Sequence, residues 1–174
     1  MTGKSTQLLL LVIFVFVVGT VLLPTPAAGA TGVPSATGSG QFQFTSDAGV
    51  TALRTFAFEA VKSSDGTVTG QAQVNNRATG QMLHIQIDCL NVIGNIAVLS
   101  GTATSASGPD NSDGDAEIFG VEDNGQGATA GPDKVTRAFG NSGFVCTDVT
   151  ADNVAQFTDL FSEVERGNIQ VRGG

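Results

Sequence analysis

Tryptophan and tyrosine are absent from the chain, and histidine occurs once, as His84. Without an indole or a phenol there is no amphipathic platform on which a sugar ring would stack. One histidine and no Cys-x-x-Cys pair exclude the common zinc ligand sets. Charged residues make up only 14% of the chain, which speaks against a coiled coil, a helical bundle or a charge-rich disordered tail. Positive charge is the scarcer sign: 8 Lys and Arg stand against 16 Asp and Glu, a net charge of −8. So few scattered bases make no basic patch, so neither nucleic acid nor an anionic membrane surface is an expected partner. There is no G-x-S-x-G element, no Walker motif and no Asn-x-Ser/Thr sequon, which removes the usual signatures of a serine hydrolase and a nucleotide phosphate loop. Gly38-Ser39-Gly40 has no helix pattern after it and is not a phosphate loop either.

An apolar run of spanning length is also missing. Leu8 to Val18 is unbroken Leu, Val, Ile and Phe, and the apolar character resumes from Val21 to Leu23. Together they fall short of the roughly 20 residues that a membrane helix needs. Lys4 precedes the run, Pro24 and Pro26 break it, and Ala28-Gly29-Ala30 follows. A charged start, a short apolar segment and an A-x-A site are the parts of a secretory signal peptide. Residues 1–30 are therefore expected to be removed on export. The mature chain is expected in the extracellular space or the cell envelope, with no membrane span. In an oxidising compartment the two cysteines, Cys89 and Cys146, suggest one disulfide; two free buried thiols are the alternative.

What the sequence has in quantity is glycine, at 23 residues, and short alternating runs. Thr31 to Gly40 is Gly, Ser, Thr, Ala and Pro, and reads as a flexible lead-in to a single domain over 41–174. Beyond it, period-two alternation recurs in Gln41–Phe44, Arg54–Glu59, Val68–Val74 and Leu83–Cys89. Apolar stretches follow at Ile96–Leu99, Ile118–Val121, Val135–Phe139 and Ile169–Val171. Alternation with half the positions polar marks antiparallel strands with one wet face. Ser64-Asp65-Gly66 reads as a tight hairpin, Asn75–Gly80 as a longer one, and Gly94-Asn95 as a third joint. About eight strands in this length predict an all-β fold, an antiparallel eight-stranded β-barrel, with a two-sheet sandwich as the alternative. Val154, Phe157, Phe161 and Val164 fall at helical spacing, and Asp152 is placed to cap them. This predicts one short helix, or an irregular segment, over one end of the barrel. Small residues taken as inward-facing (Ala57, Gly70, Ala72, Val74, Ala97) leave room for a cavity, or let a narrow barrel close up solid.

Two acidic clusters are candidate sites. Asp110, Asp113, Asp115 and Glu117 crowd one Gly-rich stretch and offer oxygen ligands to a hard cation such as Ca²⁺. Their spacing departs from the EF-hand pattern, and a solvated hairpin loop is the plainer reading. Glu122, Asp123 and Asp133, around the strong turn pair Asn124-Gly125, are expected to converge at one barrel end. Paired carboxylates can do acid–base work, with His84 as partner; a structural turn is the alternative. Odd spacing on one strand puts His84 and Cys89 on opposite faces.

The order Gly38-Ser39-Gly40, Asp65 to Gln71, His84-Ile85-Gln86-Ile87-Asp88-Cys89-Leu90-Asn91-Val92, Gly94-Asn95, Val121-Glu122-Asp123-Asn124-Gly125, Pro132-Asp133 and Gly167-Asn168-Ile169-Gln170-Val171 resembles a family of secreted bacterial β-rich proteins of unassigned function. The resemblance implies a β-rich domain whose disulfide links the Cys89 strand to the Cys146 region. It implies no activity and carries over no catalytic residue. The expectation from sequence is a secreted, non-enzymatic β-barrel without a cofactor that binds a small molecule. The alternatives are an envelope or adhesive module that binds a wall polymer, with or without Ca²⁺, and a barrel-mouth hydrolase or isomerase.

Overall fold

The computed structural model describes residues 32–46, 49–108, 112–127, 129–140 and 143–173. The expected leader and Asp110 lie outside them. The elements are β1 (Ser35–Thr45), β2 (Thr51–Lys62), β3 (Val68–Asn76), β4 (Gln81–Ile93), β5 (Ile96–Ala106), β6 (Ala116–Glu122), β7 (Lys134–Val135), β8 (Phe139–Gly140), α1 (Val154–Thr158) and β9 (Ser162–Arg172). Neighbouring strands pair antiparallel in the order β5-β4-β3-β2-β1-β9-β7-β6, and β6 pairs back onto β5. The ring of eight is closed, as the alternation predicts, and the sandwich is ruled out; β8 is an extra strand on the margin of β6. Closure pairs β1 to β5 on both sides and so removes their edges.

The alternation sorts the side chains. Phe56, Phe58 and Ala60 on β2, Leu83, Ile85 and Ile87 on β4, and Phe119 and Val121 on β6 point inward to one core. Phe42, Phe56, Phe58 and Phe119 form a chain of ring contacts across the interior, with centroids 5.7–6.1 Å apart. The space left among them is about 10 Å³, at the limit of what one water needs. The barrel waist is solid because phenylalanines fill what the small residues leave. Ala57 is not one of those small inward residues: it alternates with Phe56 and Phe58 and is exposed.

A second apolar cluster lies outside the barrel wall. Ile96, Val98 and Ile118 face outward on β5 and β6 and are covered by Cys146, Val149, Val154, Phe157 and Phe161. Burial on both faces explains why Ile96–Leu99 reads as a continuous apolar run rather than an alternating one. Phe157 lies over Gly120, where a Cβ would stand 2.3 Å from its ring. The helical segment therefore covers the outer wall, not a barrel end. It is also shorter than its spacing predicts. Helix α1 stops at Thr158, Asn153 occupies the cap position in place of Asp152, and Val164 belongs to β9, buried in the barrel core. A shared apolar phase does not distinguish a helix from a turn running into a strand.

Two more expectations are corrected. Strand β1 begins at Ser35, inside the stretch read as a lead-in, because its partners β2 and β9 supply ladders on both sides from Ser35 onward. Its Gly, Ser and Ala make poor intrinsic strand formers, and tertiary pairing overrides that preference. In β4, Ile87 pairs with Gly101 and Cys89 with Ser100, so Asp88 is the extra residue of a bulge. The bulge turns Cys89 from the inner to the outer face, where it joins the second cluster.

Candidate functional site

Cys89 and Cys146 are joined in a disulfide, in agreement with the expected bridge and consistent with an oxidising compartment. It fastens the outer segment to the wall. Asn91 Nδ2 donates to the carbonyls of Val149 (2.6 Å) and Cys146 (3.3 Å), and the Cys146 N–H donates to Ser100 Oγ.

Among the described residues of the acidic hairpin, Asp113, Asp115 and Glu117 do not gather into a cation site. Asp113 Oδ1 accepts the N–H of Ala106 and Asp115 Oδ2 that of Ser112, so both serve their own turn. Glu117 alternates with Phe119 and Val121, so it faces the barrel interior and is 2% exposed. Among the described residues no group of three His, Cys, Asp or Glu is arranged to hold a metal ion.

Glu122, Asp123 and Asp133 do come together at one end, but each is engaged in holding that end shut. Glu122 pairs with Lys134 at 3.1 Å. Asp123 accepts the N–H groups of Gly125 and Val171. Asp133 accepts those of Asn124 and Ile169. His84 is far away. Glu122 is level with Ile96 and, across β4, with Ile93, nine residues along the strand from His84, about 30 Å of extended chain. His84 sits half-buried on the outer face between Gln73 and Ser105. Because of the Asp88 bulge, it and Cys89 share that face rather than opposing one another. The carboxylates and the imidazole thus form no acid–base pair.

The opposite end holds what the sequence reading missed. A pocket of about 410 Å³ opens there, lined among others by Arg54, Asn76, Gln81, Ser107, Asp115 and Arg137. Its size falls in the ordinary range for small-molecule sites. The two arginines are set by one ring. The Arg54 guanidinium carbon lies 4.7 Å from the Phe44 centroid and that of Arg137 lies 5.3 Å from it. Arg137 also packs on Phe139, at 4.9 Å. Such cation–π contacts fix the guanidinium planes. Glu117 borders this end of the core, and its carboxyl is pushed up to about 7, by burial first and by the Asp115 carboxylate second. Arg54 was legible in principle: it shares its parity with Phe56 and Phe58, so an inward-facing charge at a strand end was written in the run Arg54–Glu59. Arg137 was not, since β7 and β8 are two residues each and carry no period.

Comparison with protein-family models, curated proteins and solved structures finds no match to this chain.

Proposed function

We propose that the mature chain is an exported, non-enzymatic binding protein that holds a small molecule in the mouth of its barrel. The observation that carries this reading is the 410 Å³ pocket above a filled waist. Polar groups from β2, β3, β4 and the β5–β6 and β7–β8 connections converge on it, while apolar side chains such as Val74 and Leu83 complete its walls. That mixture is the usual make-up of a small-molecule site. A non-enzymatic role is supported by the distance between His84 and the Glu122, Asp123 and Asp133 group. The test is a thermal-shift screen of compact metabolites against the protein and its Arg137→Ala variant. Stabilisation that is lost in the variant supports the reading; no shift with any compound tells against it.

The second reading, an envelope module, is favoured by a different surface. The outward side chains across β2, β3 and β4 include the paired row Glu59, Gln71 and Gln86 and the pair Gln73 and His84. This wall carries amides and little charge, which suits a neutral polymer. Sedimentation with isolated cell-wall material, unaffected by Arg137→Ala but weakened by Gln71→Ala with Gln86→Ala, would favour it.

A further inference from the structure

The outer wall of the barrel carries a recess of its own, where the segment 144–160 lies against β6 and β8. Ile118 and Phe139 form one side, and Val149, Phe157 and Leu160 form the other, bounding about 270 Å³. It shares only Phe139 with the pocket at the mouth. Ile118 and Val149 are buried, so the recess has a dry floor. Phe144 and Leu160 stand exposed at its lip, which leaves apolar surface in water. The segment is fixed before anything enters. The Cys89–Cys146 bridge and Asn91 tie it to the wall. Its polar groups are used on its own turns: Asp148 Oδ2 accepts the Val145 N–H, Asn153 Oδ1 accepts that of Thr150, and Asn153 Nδ2 donates to the Asp148 carbonyl. A recess formed in advance costs its ligand little ordering of the protein.

We infer that this recess takes a compact, uncharged apolar molecule, seated on Ile118 between Phe139, Phe157 and Leu160. This goes beyond the reading of the mouth and does not depend on it. Size decides against a macromolecule. A stable protein interface buries roughly 800 Å² on each partner, whereas Asp148 borders this recess and Asp152 and Asp159 stand exposed on the same segment. Charge decides against a second copy and against an anionic lipid. Residues 144–160 hold those three carboxylates and no Lys or Arg, in a chain of net charge −8, so either would bring like charge to an acidic fringe. A cation meets Arg137, whose guanidinium carbon lies 4.9 Å from the Phe139 ring centroid. What remains favourable is the burial of uncharged carbon against the four apolar side chains.

The experiment titrates the disulfide-bonded protein with N-phenyl-1-naphthylamine, an uncharged probe that fluoresces in apolar sites. Its counterpart is 1-anilinonaphthalene-8-sulfonate, the same body carrying a sulfonate. Two-dimensional ¹⁵N–¹H spectra of the labelled protein locate both. The expected result is saturable binding of the uncharged probe with shifts at Val149, Asn153, Gln156 and Leu160, and binding of the sulfonate at least tenfold weaker. Leu160→Asp, at an exposed position, should weaken the uncharged probe at least tenfold while the spectrum stays folded. Val50→Asp, at an exposed position outside the recess, should leave it unchanged. Equal binding of the two probes at those residues overturns the uncharged class and leaves the recess standing. Shifts confined to Asn76, Gln81 and Ser107 at the mouth, no saturable binding, or full binding by Leu160→Asp overturns the recess as a site. Sedimentation of the free protein tests the other occupant: a dimer that Leu160→Asp dissolves makes a second copy the partner and overturns the small molecule.

Discussion

The carboxylate of Asp133 accepts the backbone N–H of Ile169 at 2.7 Å. Asp133 precedes β7, a strand of only two residues that pairs with Ser162 and Glu163 at the start of β9. Further along, the N–H groups of β9 that point away from β1 have no strand to meet. Asp133 takes that of Ile169 and Asp123 that of Val171. Two carboxylates thus stand in for the carbonyls of a missing stretch of strand and close the seam of the barrel. The acidic cluster that looks like a candidate site in the sequence is a fastening.

Removing that fastening should be costly. Asp133 is 8% exposed and receives two backbone N–H groups, each contact to a charged acceptor being worth roughly 1.5–3 kcal/mol. Asp133→Ala is expected to destabilise by about 3–5 kcal/mol, and Asp133→Asn, which keeps one acceptor oxygen, by about half as much. Urea unfolding followed by circular dichroism measures both. Asp152→Ala, at an exposed turn position, is the control and should change little. A loss below about 1 kcal/mol for Asp133→Ala would mean that the seam closes without it.

The disulfide spans a sequence separation of 57 residues. The chain-entropy model gives at most about 4 kcal/mol for a loop of that length. Intact mass should rise by about 2 Da on reduction under denaturing conditions. The double variant Cys89→Ala with Cys146→Ala should lose about 2–4 kcal/mol. Its first loosening should appear as faster amide exchange in Cys146–Asp148 and α1, because the bridge holds that segment against the wall. Unchanged exchange there would show that Asn91 and the apolar cluster suffice.

Glu117 sets a pH dependence whose sign follows from its environment. Its carboxyl is raised from 4.5 to about 7 in the folded state, so the folded protein holds this proton more tightly than the unfolded chain. Its contribution to stability is whole below pH 4.5, declines as pH rises from 4.5 to 7, and is gone above 7. Glu117→Gln keeps the shape and removes the charge. The variant should match the wild type near pH 4.5 and be more stable at pH 8 by roughly 2 kcal/mol. The difference between the two unfolding curves across that range is the measurement; a flat difference would show that Glu117 titrates normally.

Gly167 faces Gly40 across the β1–β9 ladder, has a φ of +132°, and would place a Cβ 2.1 Å from the Ser39 carbonyl oxygen. Both the backbone conformation and the close approach exclude a side chain. Gly167→Ala should cost about 3 kcal/mol or more. Gly173→Ala, with open space around it, should be neutral. Thermal unfolding of the pair decides whether this crossing sets the barrel's girth.

Strands β2, β3 and β4 were written in the sequence because each has a wet face and a dry face, and alternation records that directly. The same runs carried the eight-strand count, and the two cysteines carried the bridge. Three matters were decided only in the tertiary structure. Ser35–Gly40 became strand because both neighbours pair with it. Asp88 was squeezed out of register, which turned Cys89 outward. Val164 left the helical pattern for β9. In each case the deciding energy is a ladder or a packing contact with residues distant in sequence, which no local period encodes. The functional end follows the same logic. Arg54 and Arg137 lie 83 positions apart by number and meet on Phe44 only because closure of the ring brings β1, β2 and the β7–β8 segment to one mouth.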